Sequence, residues 1–132
     1  IRDSSTSRGL GDVYKRQDYN GVWNGYYIDF EAKETESKTS FPLKNIHVHQ
    51  IIHLRAVEKQ RGIAFFIIRF AKLDRYYVAP FPMIDRAWNE MDEGGKKSIP
   101  LKNFEQEAIE IQLSYTPRLD YLAVINQLLP NN

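Results

Sequence analysis

The alternation of hydrophobic and polar positions predicts a β-hairpin near residues 18–33. Asn24 and Gly25 separate two β-prone runs, and an Asn-Gly pair in that position is the strongest short-range signal for a two-residue type I′ turn. In the second run, alternate residues share a face of the strand. One face carries Tyr26, Ile28, Phe30 and Ala32, and the other carries Tyr27, Asp29, Glu31 and Lys33.

The rest of the pattern predicts helices and strands in alternation. A helix is expected at about 45–60, with Asn45 as its cap and Gly62 just past its end. The apolar run 63–70 is typical of a central strand buried on both faces. We further expect a turn at Asp74, a strand at 75–79 and a helix at about 82–91 with Trp88 and Met91 in the core. A turn at Gly94-Gly95 should follow, and then a short helix opened by Pro100 at its first position. A strand near 109–113 and a closing helix at about 119–129 complete the chain. This order predicts an α/β or α+β fold with a mixed sheet.

Residues 1–17 follow neither period and are rich in Ser, Gly and Arg, which is typical of a disordered leader. The stretch 12–17 (DVYKRQ) resembles the in-frame translation of a transposon end used in sequencing adapters. We therefore interpret 1–17 as a non-native leader and 18–132 as the folded part. The whole chain carries a formal charge of +1; without the four basic and two acidic residues of the leader, 14 basic face 15 acidic residues.

Composition excludes several classes of protein. The chain has no cysteine, which excludes a disulfide framework, a thiolate zinc site and a cysteine nucleophile. No apolar run approaches the roughly 20 residues of a membrane-spanning helix, and the first residues lack the apolar core of a signal peptide. We expect a soluble, cytoplasmic protein without a membrane partner.

The predicted turn also sets the register of the hairpin. With Trp23 opposite Tyr26, Asp18 falls directly opposite Glu31 on the same face, where paired Cβ atoms lie about 4.5–5.5 Å apart. Two facing carboxylates destabilise a strand pair unless a charge offsets them, and Mg²⁺ is held by such carboxylates. Lys33 lies on that face one pleat further on, where it could meet a phosphate oxygen.

Two other interpretations of this pair remain open at this point. Glu31 and Lys33 could simply form a solvated strand face beside a frayed strand start. A sugar-acting hydrolase would also use two carboxylates, although the close Lys33 and the absence of an aromatic platform disfavour it.

The spacing Asp-x₁₂-Glu-x-Lys is the signature of the PD-(D/E)xK nuclease superfamily. Several ordered motifs extend the resemblance to the RecU family of Holliday junction resolvases over nearly all of 18–132. These motifs are DYNG at 18–21, FEAKET at 30–35, KTSFPLKN at 38–45, HVHQ at 47–50, GGKKSIP at 94–100 and RLDY at 118–121.

The resemblance implies a restriction-endonuclease-like mixed sheet flanked by helices and a role in DNA recombination and repair. Asp18 and Glu31 match the metal-binding carboxylates, Lys33 the lysine that stabilises the transition state, and Gln50 a further metal-site residue whose amide oxygen is a neutral donor. It also implies Mg²⁺, with Mn²⁺ as a substitute, a homodimer that acts on branched DNA, and contact with the recombinase. The main-chain carbonyl of Ala32 is an expected fourth ligand.

The chain departs from the family before Asp18. The family has a threonine ligand two residues upstream, where this chain has Arg16, and it has an N-terminal helical segment and a basic stalk. We therefore interpret 18–132 as a nuclease core without its N-terminal part, and we expect it to cleave junctions poorly or not at all. The alternative is a non-catalytic fragment that binds DNA or the recombinase.

Other polar clusters give weaker signals. His47, His49 and His53 lack the glutamate and cysteine partners of a zinc site, so a helix face near the active site is the preferred interpretation. The turn at 94–98 (GGKKS) fails the phosphate-loop spacing, so it is either a plain solvated turn or one whose lysines touch backbone phosphate. Phosphate contacts that carry no sequence information are assigned to five basic residues: Lys38, Lys44, Arg55, Lys96 and Lys97.

Overall fold

The computed structural model describes residues 18–111, and of Asp18 and Tyr19 it describes the backbone alone. The predicted leader at 1–17, the motif at 118–121 and the predicted closing helix at about 119–129 lie outside the described residues.

The predicted hairpin is confirmed. Strand β1 (Asp18–Trp23) pairs antiparallel with β2 (Tyr26–Thr35). Asn24 and Gly25 both have positive φ, at 56° and 85°, as a type I′ turn requires. The register runs from Trp23 opposite Tyr26 at the turn to Asp18 opposite Glu31 at the far end, as the sequence predicts.

Within 18–111 the main sheet has five strands in the order β1-β2-β4-β5-β7. Strand β4 (Ile63–Phe70) lies parallel to β2, whereas β5 (Arg75–Pro80) and β7 (Ile109–Ile111) extend the sheet antiparallel. The parallel pair requires a crossover, which helix α1 (Val48–Lys59) provides. Every residue of β4 except Arg69 is buried, which confirms the prediction of a central strand.

The described helices pack on one face of this sheet. Besides α1 these are α2 (Phe81–Asp92) and α3 (Leu101–Glu107). Trp88 is buried and Met91 packs against the same cluster, as predicted. The core of this face includes Ile51, Leu54, Phe66, Ile68, Ile84, Trp88 and Phe104. The other face carries a second cluster around Phe30 and Phe65, whose rings stack at 4.7 Å. The predicted α+β class with a mixed sheet is confirmed, and it is consistent with a restriction-endonuclease-like fold.

A second, two-stranded sheet is absent from the sequence prediction. Strand β3 (Ser40–Pro42) pairs antiparallel with β6 (Ser98–Pro100). Two backbone hydrogen bonds extend the pairing, from Leu43 N to Lys97 O (2.9 Å) and from Leu101 N to Thr39 O (2.8 Å). This small sheet joins segments that lie far apart in the sequence.

The helix starts differ from the prediction. Residues Leu43–Asn45 form a single 3₁₀ turn, so α1 begins at Val48 with His47 as its N-cap. The Asn45 side chain instead donates a hydrogen bond to the Glu34 carbonyl (3.2 Å). Pro100 is the N-cap of α3 and not its first residue, because it ends β6 in an extended conformation.

The end of α1 has the hydrogen bonds of a Schellman motif. Arg61 N bonds to Glu58 O (3.0 Å) and Gly62 N bonds to Val57 O (2.9 Å). The left-handed residue is Arg61, with φ of 66°, and Gly62 follows it, just past the end of the helix as predicted. Gly62 serves close packing: a Cβ there would lie 2.7 Å from Val57 Cγ1 and 3.2 Å from the Tyr27 carbonyl.

Candidate metal centre

The hairpin register brings two acidic positions together at the end distant from the turn. Asp18 and Glu31 are direct partners in the β1–β2 ladder, and paired positions of an antiparallel ladder share one face of the sheet. Glu31 is only 6% exposed, although it is a carboxylate. A buried carboxylate requires hydrogen bonds or a cation to compensate for lost hydration.

Gln50, on the first turn of α1, provides one of these contacts. Its Nε2 donates to Glu31 Oε1 at 2.9 Å, while its Oε1 accepts a hydrogen bond from the His47 backbone N–H at 3.0 Å. One side chain therefore caps α1 and holds the buried carboxylate. The amide nitrogen faces Glu31, so coordination through the Gln50 oxygen would require the amide to turn.

Lys33 lies on the same face of β2 as Glu31, because alternate residues of a strand share a face. It is half-buried and stands opposite Ile68 of β4 in the ladder. The positively charged Lys33 is therefore one pleat from the Asp18–Glu31 pair on the same strand face.

The available donors fit a hard divalent cation. Two carboxylates, an amide and a main-chain carbonyl are oxygen ligands, which Mg²⁺ prefers. No group of three or more His, Asp or Glu side chains converges in the part of the chain whose side chains are described, so such a site would depend on the Asp18–Glu31 pair with neutral donors.

A second polar contact between α1 and β2 lies beside the first, and sequence reasoning missed it. Asp29 is 3% exposed, and its Oδ2 accepts a hydrogen bond from Tyr27 Oη (2.9 Å) and contacts His53 Nε2 (2.6 Å). The signals were present: Tyr27 and Asp29 share the face of Glu31, and His53 follows Gln50 by one helical turn. The sequence pattern does not show how helix α1 lies over strand β2, and the contact depends on that placement.

The other two histidines lie at the start of α1. The His47 and His49 rings are exposed and stack at 5.5 Å, and His53 engages Asp29. The three histidines therefore do not converge: two are exposed at the start of α1, and the third is the partner of Asp29.

The predicted phosphate-binding residues fall into two groups. Lys38, Lys44, Lys96 and Lys97 are exposed, and the β3–β6 sheet brings their two segments side by side. Arg55 instead points at α2, where it pairs with Asp85 (2.5 Å) and Asn89 (3.4 Å). A phosphate contact by Arg55 would have to compete with this pair, and its role in DNA binding stays a prediction.

No helix among the described residues is both long and apolar enough to cross a membrane.

The chain is similar to known recombination proteins. A family model described as Recombination protein U matches residues 4–127, a range that begins within the predicted leader. The proteins named Holliday junction resolvase RecU from Staphylococcus carnosus and Lactobacillus helveticus are both 50% identical, over 112 and 124 residues. These matches cover 85% and 91% of this chain. That of Geobacillus thermodenitrificans is 50% identical over 124 residues, or 90% of this chain.

This chain spans 54%, 58% and 61% of the lengths of those three relatives, which is little more than half. The adapter interpretation of residues 1–17 stays a prediction. The range matched by the family model covers nearly the whole sequence of this chain. The chain belongs to the RecU family, Recombination protein U.

Proposed function

We propose that this chain is the core of a Mg²⁺-dependent endonuclease that resolves Holliday junctions in recombination and repair. The observation that carries the proposal is the ladder register that places Asp18 opposite Glu31, with Lys33 on the same face. The relatives are named Holliday junction resolvases, which supports branched DNA as the substrate.

Each residue has a distinct part in the proposed reaction. Asp18, Glu31, the Ala32 carbonyl and Gln50 would hold the cation, for which Mn²⁺ could substitute. When bound, a divalent cation activates water for in-line attack on the phosphodiester and neutralises phosphate charge. Lys33 would donate a hydrogen bond to a non-bridging phosphoryl oxygen and so stabilise the negative charge that develops there as water attacks phosphorus. Gln50 also holds Glu31 in place before the cation binds.

Glu31→Gln tests the site. It keeps the shape of the side chain but removes the charge. In the chain extended to the length of its relatives, we therefore expect cleavage of a four-way junction to fall about 100-fold or more while junction binding remains. The control is Glu36→Gln, at an exposed acidic residue just past the end of β2. Normal cleavage by Glu31→Gln would refute the site assignment.

Calorimetry separates the enzyme from the alternative, a fragment that only binds DNA or the recombinase. Titration of the chain with Mn²⁺ or Mg²⁺ should give heat of binding that Glu31→Gln abolishes and Glu36→Gln retains. A chain that binds junction DNA without binding either cation would be the non-catalytic fragment.

The proposed substrate also predicts how the basic residues act. Lys38, Lys44, Lys96 and Lys97 would contact phosphates, which fix the position of DNA without reading its sequence. Each phosphate contact that is removed should lower the slope of log binding constant against log salt by about 1.

We also propose a homodimer, because a four-way junction presents two equivalent strands for cleavage.

A further inference from the structure

A pocket lies between α1 and the β1–β2 hairpin, on the face of β2 that also carries Glu31. Its volume is about 410 Å³, and its lining residues are Tyr27, His53, Ala56, Val57, Gln60 and Gly62. Helix α1 crosses β2 in the opposite direction, since Gln50 meets Glu31, His53 meets Asp29, and Gly62 meets Tyr27. The pocket therefore follows the catalytic face of β2 away from Glu31.

Two aromatic rings form the walls of this pocket, and one buried carboxylate fixes both. Asp29 Oδ2 accepts the hydrogen bond of Tyr27 Oη and contacts His53 Nε2. The rings themselves stay accessible: Tyr27 is 41% exposed, and the His53 side chain is 53% exposed. Two rings held in place before a ligand arrives lose little conformational entropy on binding.

The remaining lining is apolar or neutral. Ala56 and Val57 provide aliphatic surface, Gly62 contributes backbone without a side chain, and Gln60 offers an amide. Val22, the ladder partner of Tyr27, extends the apolar surface and is 62% exposed. A flat, apolar ligand with polar edges fits such a lining, and a nucleobase has that chemistry.

The distance to the carboxylate pair fits the same ligand. Tyr27 precedes Glu31 by four residues on one strand face, a separation of about 13 Å along β2. A short stretch of an extended strand spans that distance. A base close to the phosphate at the Asp18–Glu31 pair would therefore reach the Tyr27 and His53 rings.

We propose that this pocket is a base subsite, which holds an unstacked base of the DNA strand whose phosphate lies at the carboxylate pair. The inference rests on the proposed nuclease function and names a feature of the substrate, namely a nucleotide at or beside the branch point whose base has left the stack. Base–aromatic stacking is tolerant of sequence because every base has a π-face. The subsite therefore selects branched over continuous duplex DNA without reading its sequence.

The test uses four-way junctions with 2-aminopurine at successive positions around the branch, bound by the chain in EDTA so that no cleavage occurs. A 2-aminopurine that leaves the DNA stack fluoresces more strongly, and stacking on a protein ring should quench it again at one position near the cleaved bond. Tyr27→Leu and His53→Gln remove a ring, and the Gln variant keeps a donor for Asp29. Each should abolish the quenching and weaken junction binding about tenfold, as expected for one lost base stack.

Two controls separate stacking from a structural effect. Tyr27→Phe loses the hydrogen bond to Asp29 but keeps the ring, and His49→Gln removes an exposed ring of α1 outside the pocket. Both should retain the quenching and most of the affinity, with a smaller loss for Tyr27→Phe than for Tyr27→Leu, and the unfolding midpoints of all variants show whether they fold. Equal losses in Tyr27→Phe and Tyr27→Leu would overturn the subsite.

The outcomes also distinguish the two proposals. The base subsite alone is overturned if the chain binds and cleaves junctions and if Tyr27→Leu and His53→Gln change neither the fluorescence nor the affinity. A chain that neither binds nor cleaves junctions, even when extended to the length of its relatives, overturns the proposed function and the subsite together.

Discussion

Gln50 is the residue whose removal most directly tests the arrangement of the metal centre. Its amide makes two hydrogen bonds at once, to the buried Glu31 carboxylate (2.9 Å) and from the His47 backbone N–H (3.0 Å). Gln50→Ala removes both. A lost hydrogen bond to a charged group costs about 1.5–3 kcal/mol, and a lost helix cap about 1 kcal/mol. We therefore expect the free energy of unfolding to fall by about 2.5–4 kcal/mol.

The assay is urea unfolding at pH 7 in EDTA, followed by circular dichroism. The matched control is Gln106→Ala, at an exposed position of α3, for which we expect a change within about 0.5 kcal/mol. Repeating both in excess Mg²⁺ tests the cation: bound Mg²⁺ would stabilise the folded state, and Gln50→Ala, which lacks a proposed ligand, would gain less of that stability, so its deficit should widen while that of Gln106→Ala stays unchanged. A deficit below 1 kcal/mol in EDTA would show that the two hydrogen bonds do not hold this site together.

Three further predictions concern the fold. Phe104→Ala should lower the free energy of unfolding by about 3–5 kcal/mol in urea titrations, since this fully buried ring packs at 5.4 Å from Phe70; a loss below 1 kcal/mol would contradict it. Arg61→Gly should raise the free energy of unfolding by about 0.5 kcal/mol, because glycine adopts the positive φ without strain. A melting temperature below that of the wild type would refute this prediction. Burial and the nearby Asp85 raise the pKa of Glu58, so its charged form is disfavoured in the fold. Glu58→Gln should therefore be more stable than the wild type at pH 7, and the difference in free energy of unfolding should disappear as pH falls below 4.5, the ordinary pKa of a glutamate. A difference that does not change with pH would contradict the raised pKa.

The parts of the fold that the sequence predicts are those set by local chemistry. An Asn-Gly turn fixes its own geometry, so the register of the hairpin follows from two residues, and with it the Asp18–Glu31 pair. The strand Ile63–Phe70 is equally clear, because a continuous apolar run suits a strand buried on both faces.

The parts that the sequence missed depend on contacts between distant segments. Strands β3 and β6 have three residues each and end in proline, so neither shows the alternation that indicates a strand. The contact of Asp29 with His53 requires knowledge of how α1 crosses β2. The start of α1 was misplaced because Asn45 suits a cap in isolation, whereas Gln50 and His47 form the actual one.

The hairpin has a consequence for the order in which the metal centre assembles during folding. Asp18 and Glu31 are 13 residues apart, and a hairpin closes in about 1–10 μs. Gln50 reaches Glu31 only after α1 has docked and β2 has paired with β4, a non-local parallel pairing that forms more slowly. For that interval the two acidic positions face each other without the amide. A divalent cation in solution should then speed folding, because it relieves the repulsion before the rest of the protein is in place.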